Sequence, residues 1–200
     1  MVMPVPPPLV PDTARRDWTA EELALLPDDG NRYEIVDGEL LVTPAPAPVH
    51  QRAALRLASI LLPYCDAHGI ECVIAPADVA FSRSTVVEPD LFVVPLRADG
   101  SLVRDYREAG RLLLAVEVLS PSSVRADRVV KRIAYLAAGV PDYWIVDTAH
   151  RCVERWRPGH EVPEMLVESL TWQPQQDAPP LVIDLPKYFR LVHGERVPGN

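Results

Sequence analysis

The sequence predicts a chain of the α/β (α+β) class with a hairpin near its N-terminus, on three observations. Two short runs, 86–94 and 112–118, have the length and the Leu/Val content of buried strands. Two longer stretches, 48–68 and 124–138, repeat apolar residues at helical spacing. Asp37-Gly38 separates two apolar-rich arms, a hairpin signal because both positions of a type I′ turn need positive φ.

Taken in order, residues 1–16 read as a disordered or loosely docked tail rich in proline. A short helix, about 20–26, starts at Thr19, where Glu22 can complete a capping box and Trp18 can staple onto Leu23. The hairpin follows, with Glu34 on the opposite face from Tyr33 and Ile35; locally it reads as an exposed strand residue or as an additional carboxylate at a metal site. In the helix 48–68, Val49, Ala53, Leu57, Ile60, Leu61 and Tyr64 form the apolar stripe, Pro63 predicts a kink or an end, and Gly69 a stop. His50, in its first turn, reads locally as a surface or capping residue. Residues 70–81 form a strand interrupted near Pro76, hence at an edge or bulged.

The strand 86–94 begins with Glu88 and Asp90, and the polar segment 95–111 joins it to 112–118. Alternation there sets Leu113, Ala115 and Glu117 against Leu112, Leu114, Val116 and Val118, placing Glu117 at the rim of a packed strand. The helix 124–138 is expected to bury Val129, Val130, Ile133, Ala134 and Ala137. Lys131 falls off that face, one turn after Asp127, as an exposed i,i+4 pair worth only tenths of a kcal/mol. Gly139 ends the helix, and strands follow at 143–146 and 152–156. Beyond Pro158 there are strand-like pieces at 165–172 and 181–183 among proline-rich turns, with no evident chemistry and no internal repeat.

The 200 residues suit one domain, expected over 17–190, with 191–200 as a C-terminal tail. No apolar run is long enough to span a membrane, and the N-terminal residues lack the pattern of a signal peptide. Three cysteines without metal-ligand spacing suggest free thiols in a cytoplasmic protein. A net charge of −8 excludes a surface coated in basic residues, although arginines gather at 104–111, 125–132 and 151–157. Only two lysines occur, Lys131 and Lys187, so each marks a position where a compact ammonium was kept among arginines.

Asp90 and Glu117 carry the chemistry. Carboxylates on adjacent strands raise each other's pKa unless a cation lies between them. Hard oxygen ligands suit magnesium or manganese, which activate water and neutralise a phosphoryl transition state. Lys131 could add positive charge near a scissile phosphate.

Six segments in order, Arg32–Glu39, Pro48–Gln51, Val87–Asp90, Val116–Ser122, Asp127–Lys131 and Ala138–Asp147, together resemble the Uma-type family of restriction endonucleases, which is placed in the PD-(D/E)xK nuclease superfamily. The resemblance spans about 18–190. It implies a restriction-endonuclease-like core: a mixed sheet flanked by helices, built from a helix, three strands in antiparallel succession, a crossing helix and a further strand. It places the metal-binding Asp and acidic residue at Asp90 and Glu117. The superfamily lysine, expected two residues beyond Glu117, is replaced by Leu119, and the family's basic residue matches Lys131. Glu34 matches a carboxylate that completes the site, with His50 and Asp127 as accessory candidates. The activity implied is Mg (or Mn)-dependent hydrolysis of DNA by a homodimer. The alternatives are a nucleic-acid-binding module on the same fold without catalysis, and a structural or interaction protein whose carboxylates are ordinary ion pairs.

Overall fold

The structure is a computed structural model that describes residues 8–196. The remainder of the expected N-terminal tail, 1–7, and residues 197–200 lie outside the described residues. Within the described part of that tail, the chain is docked. Leu9 N–H donates to Leu25 O (2.7 Å), and the Trp18 indole donates to Asp12 O (2.9 Å).

Helix α1 (Ala20–Leu23) is one turn, shorter than the expected 20–26. The Glu22 carboxylate accepts from Thr19 N–H and Oγ, as the capping pattern predicts. Strands β1 (Arg32–Val36) and β2 (Glu39–Thr43) form the expected hairpin, Val36 opposite Glu39. Asp37 and Gly38 both have positive φ, 50° and 80°. Position 38 must be glycine for a second reason: a Cβ there would lie 2.3 Å from Arg16 O.

Helix α2 (Pro48–Ala67) continues past Pro63 rather than ending there. It buries Ala53, Ala54, Leu57, Ala58, Leu61 and Cys65, and His50 with them. After it come β3 (Ile70–Ile74), β4 (Val79–Ser82), β5 (Thr85–Val87) and β6 (Leu91–Pro95). The interruption expected near Pro76 divides β3 from β4. Strand β7 (Leu114–Val118) leads into a π-helical stretch, Ala126–Lys131, which continues as α3 (Arg132–Ala137). Strands β8 (Tyr143–Asp147), β9 (Cys152–Trp156), β10 (Glu164–Leu166), β11 (Ser169–Trp172) and β12 (Leu181–Asp184) follow, and α4 (Leu185–His193) closes the order.

The main sheet has six strands in the order β10-β9-β8-β7-β6-β3. Every pair is antiparallel except β7/β8. A parallel pair needs a crossover, which the π-helical stretch and α3 supply. The sheet is therefore mixed, as expected. A four-stranded sheet, β2-β1-β5-β4, and the β11/β12 ribbon accompany it.

Both faces of the main sheet are buried, which is why its strands read as continuous apolar runs. Leu91, Leu114, Val116 and Trp144 pack against Leu57 and Leu61 of α2 and Tyr188 and Phe189 of α4. Phe92, Ala115, Tyr143 and Ile145 pack against Ala134 and Tyr135 of α3. Helix α4 was not anticipated, and it carries packing past residue 190: Val192 is fully buried, and its carbonyl accepts from Arg52 Nε at 2.8 Å. Its local signals were present. Asp184 caps Lys187 N–H, Pro186 occupies the first turn, and Gly194 ends the helix at φ 72°.

The helix wheel for 124–138 needs correction. Val129 and Ile133 are exposed (46% and 53%), whereas Asp127 and Lys131 are buried. The buried positions Ser123, Asp127, Lys131 and Tyr135 recur every four residues, so the stripe turned inward is the one that carries the charged pair, not the one richest in apolar residues.

The β8–β9 turn is held by Asp147, whose Oδ1 accepts from Ala149 and His150 N–H and whose Oδ2 accepts from Arg128. Burial opposes its charge, but the bonds from His150 and the charge of Arg128 outweigh this and hold its pKa below the usual value. A folded pKa below the unfolded one means stability that is present above about pH 3.9 and is lost as pH falls through the folded value. Asp147→Asn is thus expected to destabilise the protein at pH 7, with the difference from wild type narrowing in acid; urea unfolding at several pH values measures it, and a pH-independent difference would contradict the assignment.

Candidate active site

Three strands and two helices deliver side chains to one buried place. Strand β1 pairs with β5 at Ile35/Val86, and β5 passes through Glu88-Pro89 into Asp90 and β6. The two larger sheets therefore meet at Glu88–Asp90, and β1 lays Arg32 and Glu34 beside that junction. Arg32 donates to Glu88 O and Asp90 Oδ1, each at 2.9 Å, and Glu88 N–H donates to Glu34 Oε1 at 2.8 Å. The other Asp90 oxygen, Oδ2, accepts from Val118 N–H (2.7 Å) and lies 3.0 Å from His50 Nε2.

Lys131 is the centre of the cluster. Its Nζ lies 2.7 Å from Glu34 Oε2, 3.1 Å from Glu117 Oε1 and 3.7 Å from Asp127 Oδ1, and the whole side chain is only 2% exposed. Tyr135, four residues on, donates its hydroxyl to Glu117 Oε1 at 2.7 Å. Glu117 is enclosed (1% exposed) rather than at a rim, and Glu34 is equally buried rather than exposed. His50, Asp127 and Lys131 likewise lie inside, against the surface roles that local spacing assigned them.

The energetics explain the pairing. Burial raises the Glu117 pKa well above the usual carboxylate range, and the Lys131 charge opposes that rise. Burial also lifts Asp127, to about 6. Burial would raise Asp90 too, but the hydrogen bond from His50 and the charge of Arg32 hold it at about 2. Burial disfavours the Lys131 ammonium, yet Glu117, Glu34 and Asp127 more than compensate, and it stays protonated. Five carboxyl groups (Glu34, Glu88, Asp90, Glu117 and Asp127) share two permanent cations, Arg32 and Lys131. The site is short of positive charge.

A cavity of about 140 Å³ opens on Asp90, Glu117, Asp127, Lys131, His50 and Arg32. Among the described residues, no three His, Cys, Asp or Glu side chains form a closed metal cage. Asp90 and Glu117 nonetheless offer hard oxygens to the cavity. One or two carboxylates are the usual protein share for magnesium, which retains waters and takes up substrate phosphates.

The sequence model of the Uma2 family, described as "Putative restriction endonuclease", matches residues 20–186. This chain belongs to the Uma2 family. A solved structure with a similar fold is that of a "putative nuclease belonging to DUF820" from Anabaena variabilis ATCC 29413. It is 18% identical with a TM-score of 0.72, covering 88% of this chain and 99% of that one. No curated protein matches. Among the described residues no helix is long and apolar enough to cross a membrane.

In this Uma2 chain all six residues singled out from sequence, Glu34, His50, Asp90, Glu117, Asp127 and Lys131, lie in one cluster. Arg32 and Tyr135 were missed. Both had a positional signal, Arg32 two residues before Glu34 on a strand and Tyr135 one turn after Lys131 on a helix. Of the arginines gathered in the sequence, Arg107 pairs with Asp78, Arg125 with Glu39, Arg128 with Asp147 and Glu154, and Arg157 with Asp142. These four are paired with carboxylates, whereas Arg104 and Arg111 are exposed to solvent.

Removing one partner of a buried ion pair costs about 3–5 kcal/mol, because the remaining charge is left in a medium that cannot solvate it. Lys131→Met should cost that much in urea unfolding. Adding Glu34→Gln and Glu117→Gln to it should recover a large part. If Lys131→Met alone is neutral, the buried cluster described here is wrong.

Proposed function

We propose that this protein is a divalent-metal-dependent nuclease that hydrolyses DNA phosphodiester bonds. The carrying observation is the site's shortage of positive charge: Asp90, Glu117 and Asp127 line one small cavity, Glu34 and Glu88 pair with the same Lys131 and Arg32, and these are the two permanent cations beside the five carboxyl groups. Asp90 and Glu117 would hold Mg²⁺ or Mn²⁺, which when bound supplies a Lewis acid and lowers the pKa of water.

The chain's own groups supply the rest. The hydrogen bond from His50 and the charge of Arg32 keep Asp90 ionised, and Arg32 and Val118 N–H orient it, so it would be available to a metal ion across the physiological range. Tyr135 and Lys131 fix one oxygen of Glu117, turning the carboxylate into a set geometry. Lys131 itself cannot release its proton easily with three carboxylates around it, so its part is a fixed positive charge beside the reacting phosphate, not a base. Hydrolysis adds water across the P–O ester bond, one product taking the hydroxyl and the other the proton.

A second reading rests on Leu119, which stands where the superfamily has its lysine. A binding module without catalysis would hold nucleic acid and leave it whole. Cleavage of plasmid and oligonucleotides with Mg²⁺ or Mn²⁺ separates the two. Cutting is expected to need metal, to stop with EDTA, and to fall about 10²–10³-fold or more in Asp90→Asn, the usual range for losing one preorganised electrostatic partner. Calorimetric titration with Mn²⁺ should show binding by wild type that is weakened in Glu117→Gln. Binding of DNA without any cutting would favour the module; cutting that persists in Asp90→Asn would sink the metal-site assignment.

A further inference from the structure

Beside the catalytic cavity lies a second one, of about 380 Å³, and its walls have a different chemistry. Leu119, Val124, Val49 and Pro121 line it, with Ala149 and His150 also at its edge. Leu119 lines this pocket and not the catalytic cavity, so the residue that replaces the superfamily lysine has become part of an apolar wall. The two cavities share Ala47, His50, Ser120 and Pro121, so they are contiguous.

Access to the catalytic cavity is restricted on the other side by Pro44-Ala45-Pro46, which borders it and also a third cavity next to Arg32 and Asp90. Proline at 44, 46 and 48 fixes φ at alternate positions, so this strap is stiff rather than a loose flap. The carboxylates behind it are almost wholly enclosed: Asp90 is 4% exposed and Glu117 1%. A phosphate within a duplex arrives with its bases stacked and paired, and its neighbours block so narrow an approach. A phosphate of an unpaired strand can be turned inward with its base splayed aside. Duplex binding also draws on basic surface that neutralises phosphates, and Arg128, which lines the second cavity, is already paired with Asp147 and Glu154.

We propose that the site takes an unpaired nucleic acid strand, and that the base next to the reacting phosphate seats in the apolar pocket of Leu119, Val124, Val49 and Pro121. This inference rests on the nuclease reading for the phosphate's place, and it adds the substrate class and a base subsite. Sequence-tolerant recognition follows, since every base has an apolar face and the pocket walls are aliphatic.

The test uses fluorescence anisotropy in Ca²⁺ with labelled oligothymidylate and with the same strand paired to oligoadenylate, alongside cleavage of both in Mg²⁺ or Mn²⁺. The variants are Val124→Gln and Ala149→Gln, which leave net charge unchanged at positions already open to solvent; circular dichroism checks that they fold. Wild type should bind the single strand at least ~10-fold more tightly than the duplex, and a variant should lose about as much, the scale of one base contact. Equal or better handling of duplex, or variants without effect on single-strand affinity, would overturn the proposal while cleavage keeps the nuclease reading. Pocket-dependent single-strand binding without cleavage would support the subsite and overturn the nuclease. Neither binding nor cleavage would remove both.

Discussion

The buried ammonium of Lys131 ties together three parts of the chain that are distant in sequence or separate in structure. Glu34 comes from the N-terminal hairpin, Glu117 from the centre of the main sheet, and Asp127 from the preceding turn of its own helix. None of the three can be buried cheaply as a lone charge, and neither can the lysine. Each therefore needs the others in place, and this mutual need pins the hairpin's sheet, the crossover helix and β7 to one geometry. Apolar packing alone would accept more than one such arrangement, since apolar contacts are non-directional.

The crossover helix shows how that constraint reaches local structure. Along the crossover, Ser123, Asp127, Lys131 and Tyr135 form the buried stripe, and Val129 and Ile133 lie outside it. The stretch gives up regular i→i+4 bonding over six residues, Ala126–Lys131, and Asp127 and Lys131 lie inward within it. Two β-branched apolar residues are left exposed. The local cost is offset by a completed charge cluster, and π-helical turns are found disproportionately where function sets such demands.

In this acidic protein the positive charge is distributed unevenly. Here Arg32 and Lys131 face the cavity, while Arg107, Arg125, Arg128 and Arg157 are tied to carboxylates elsewhere. Around the cavity the shape is set by a stiff proline strap on one side and an apolar pocket on the other. This is a different balance from proteins that grip duplexes through long rows of cations.

Much of the molecule was legible without coordinates. The Asp37-Gly38 turn, the capping pattern at Thr19, the apolar runs of β6, β7 and β8 and the two principal helices are encoded locally, through φ preferences, hydrogen-bonding reach and hydrophobic period. Ordered motifs pointed to Asp90, Glu117, Glu34 and Lys131 together, although spacing by itself placed Lys131 and Glu34 at the surface. Helix α4 went unseen because its short amphipathic run sits among prolines, and its stability comes from docking on α2 through contacts such as Tyr188 to Ala53 O. What the sequence by itself determined is the set of elements and the chemical identity of the site's groups. Only the tertiary structure decided which face of the crossover helix is buried, that Arg107, Arg125, Arg128 and Arg157 are paired with carboxylates, and that Arg32 and Tyr135 complete the cluster. Those outcomes depend on charges brought together from distant segments, and a buried charge chooses its partner by position in space rather than by position in the chain.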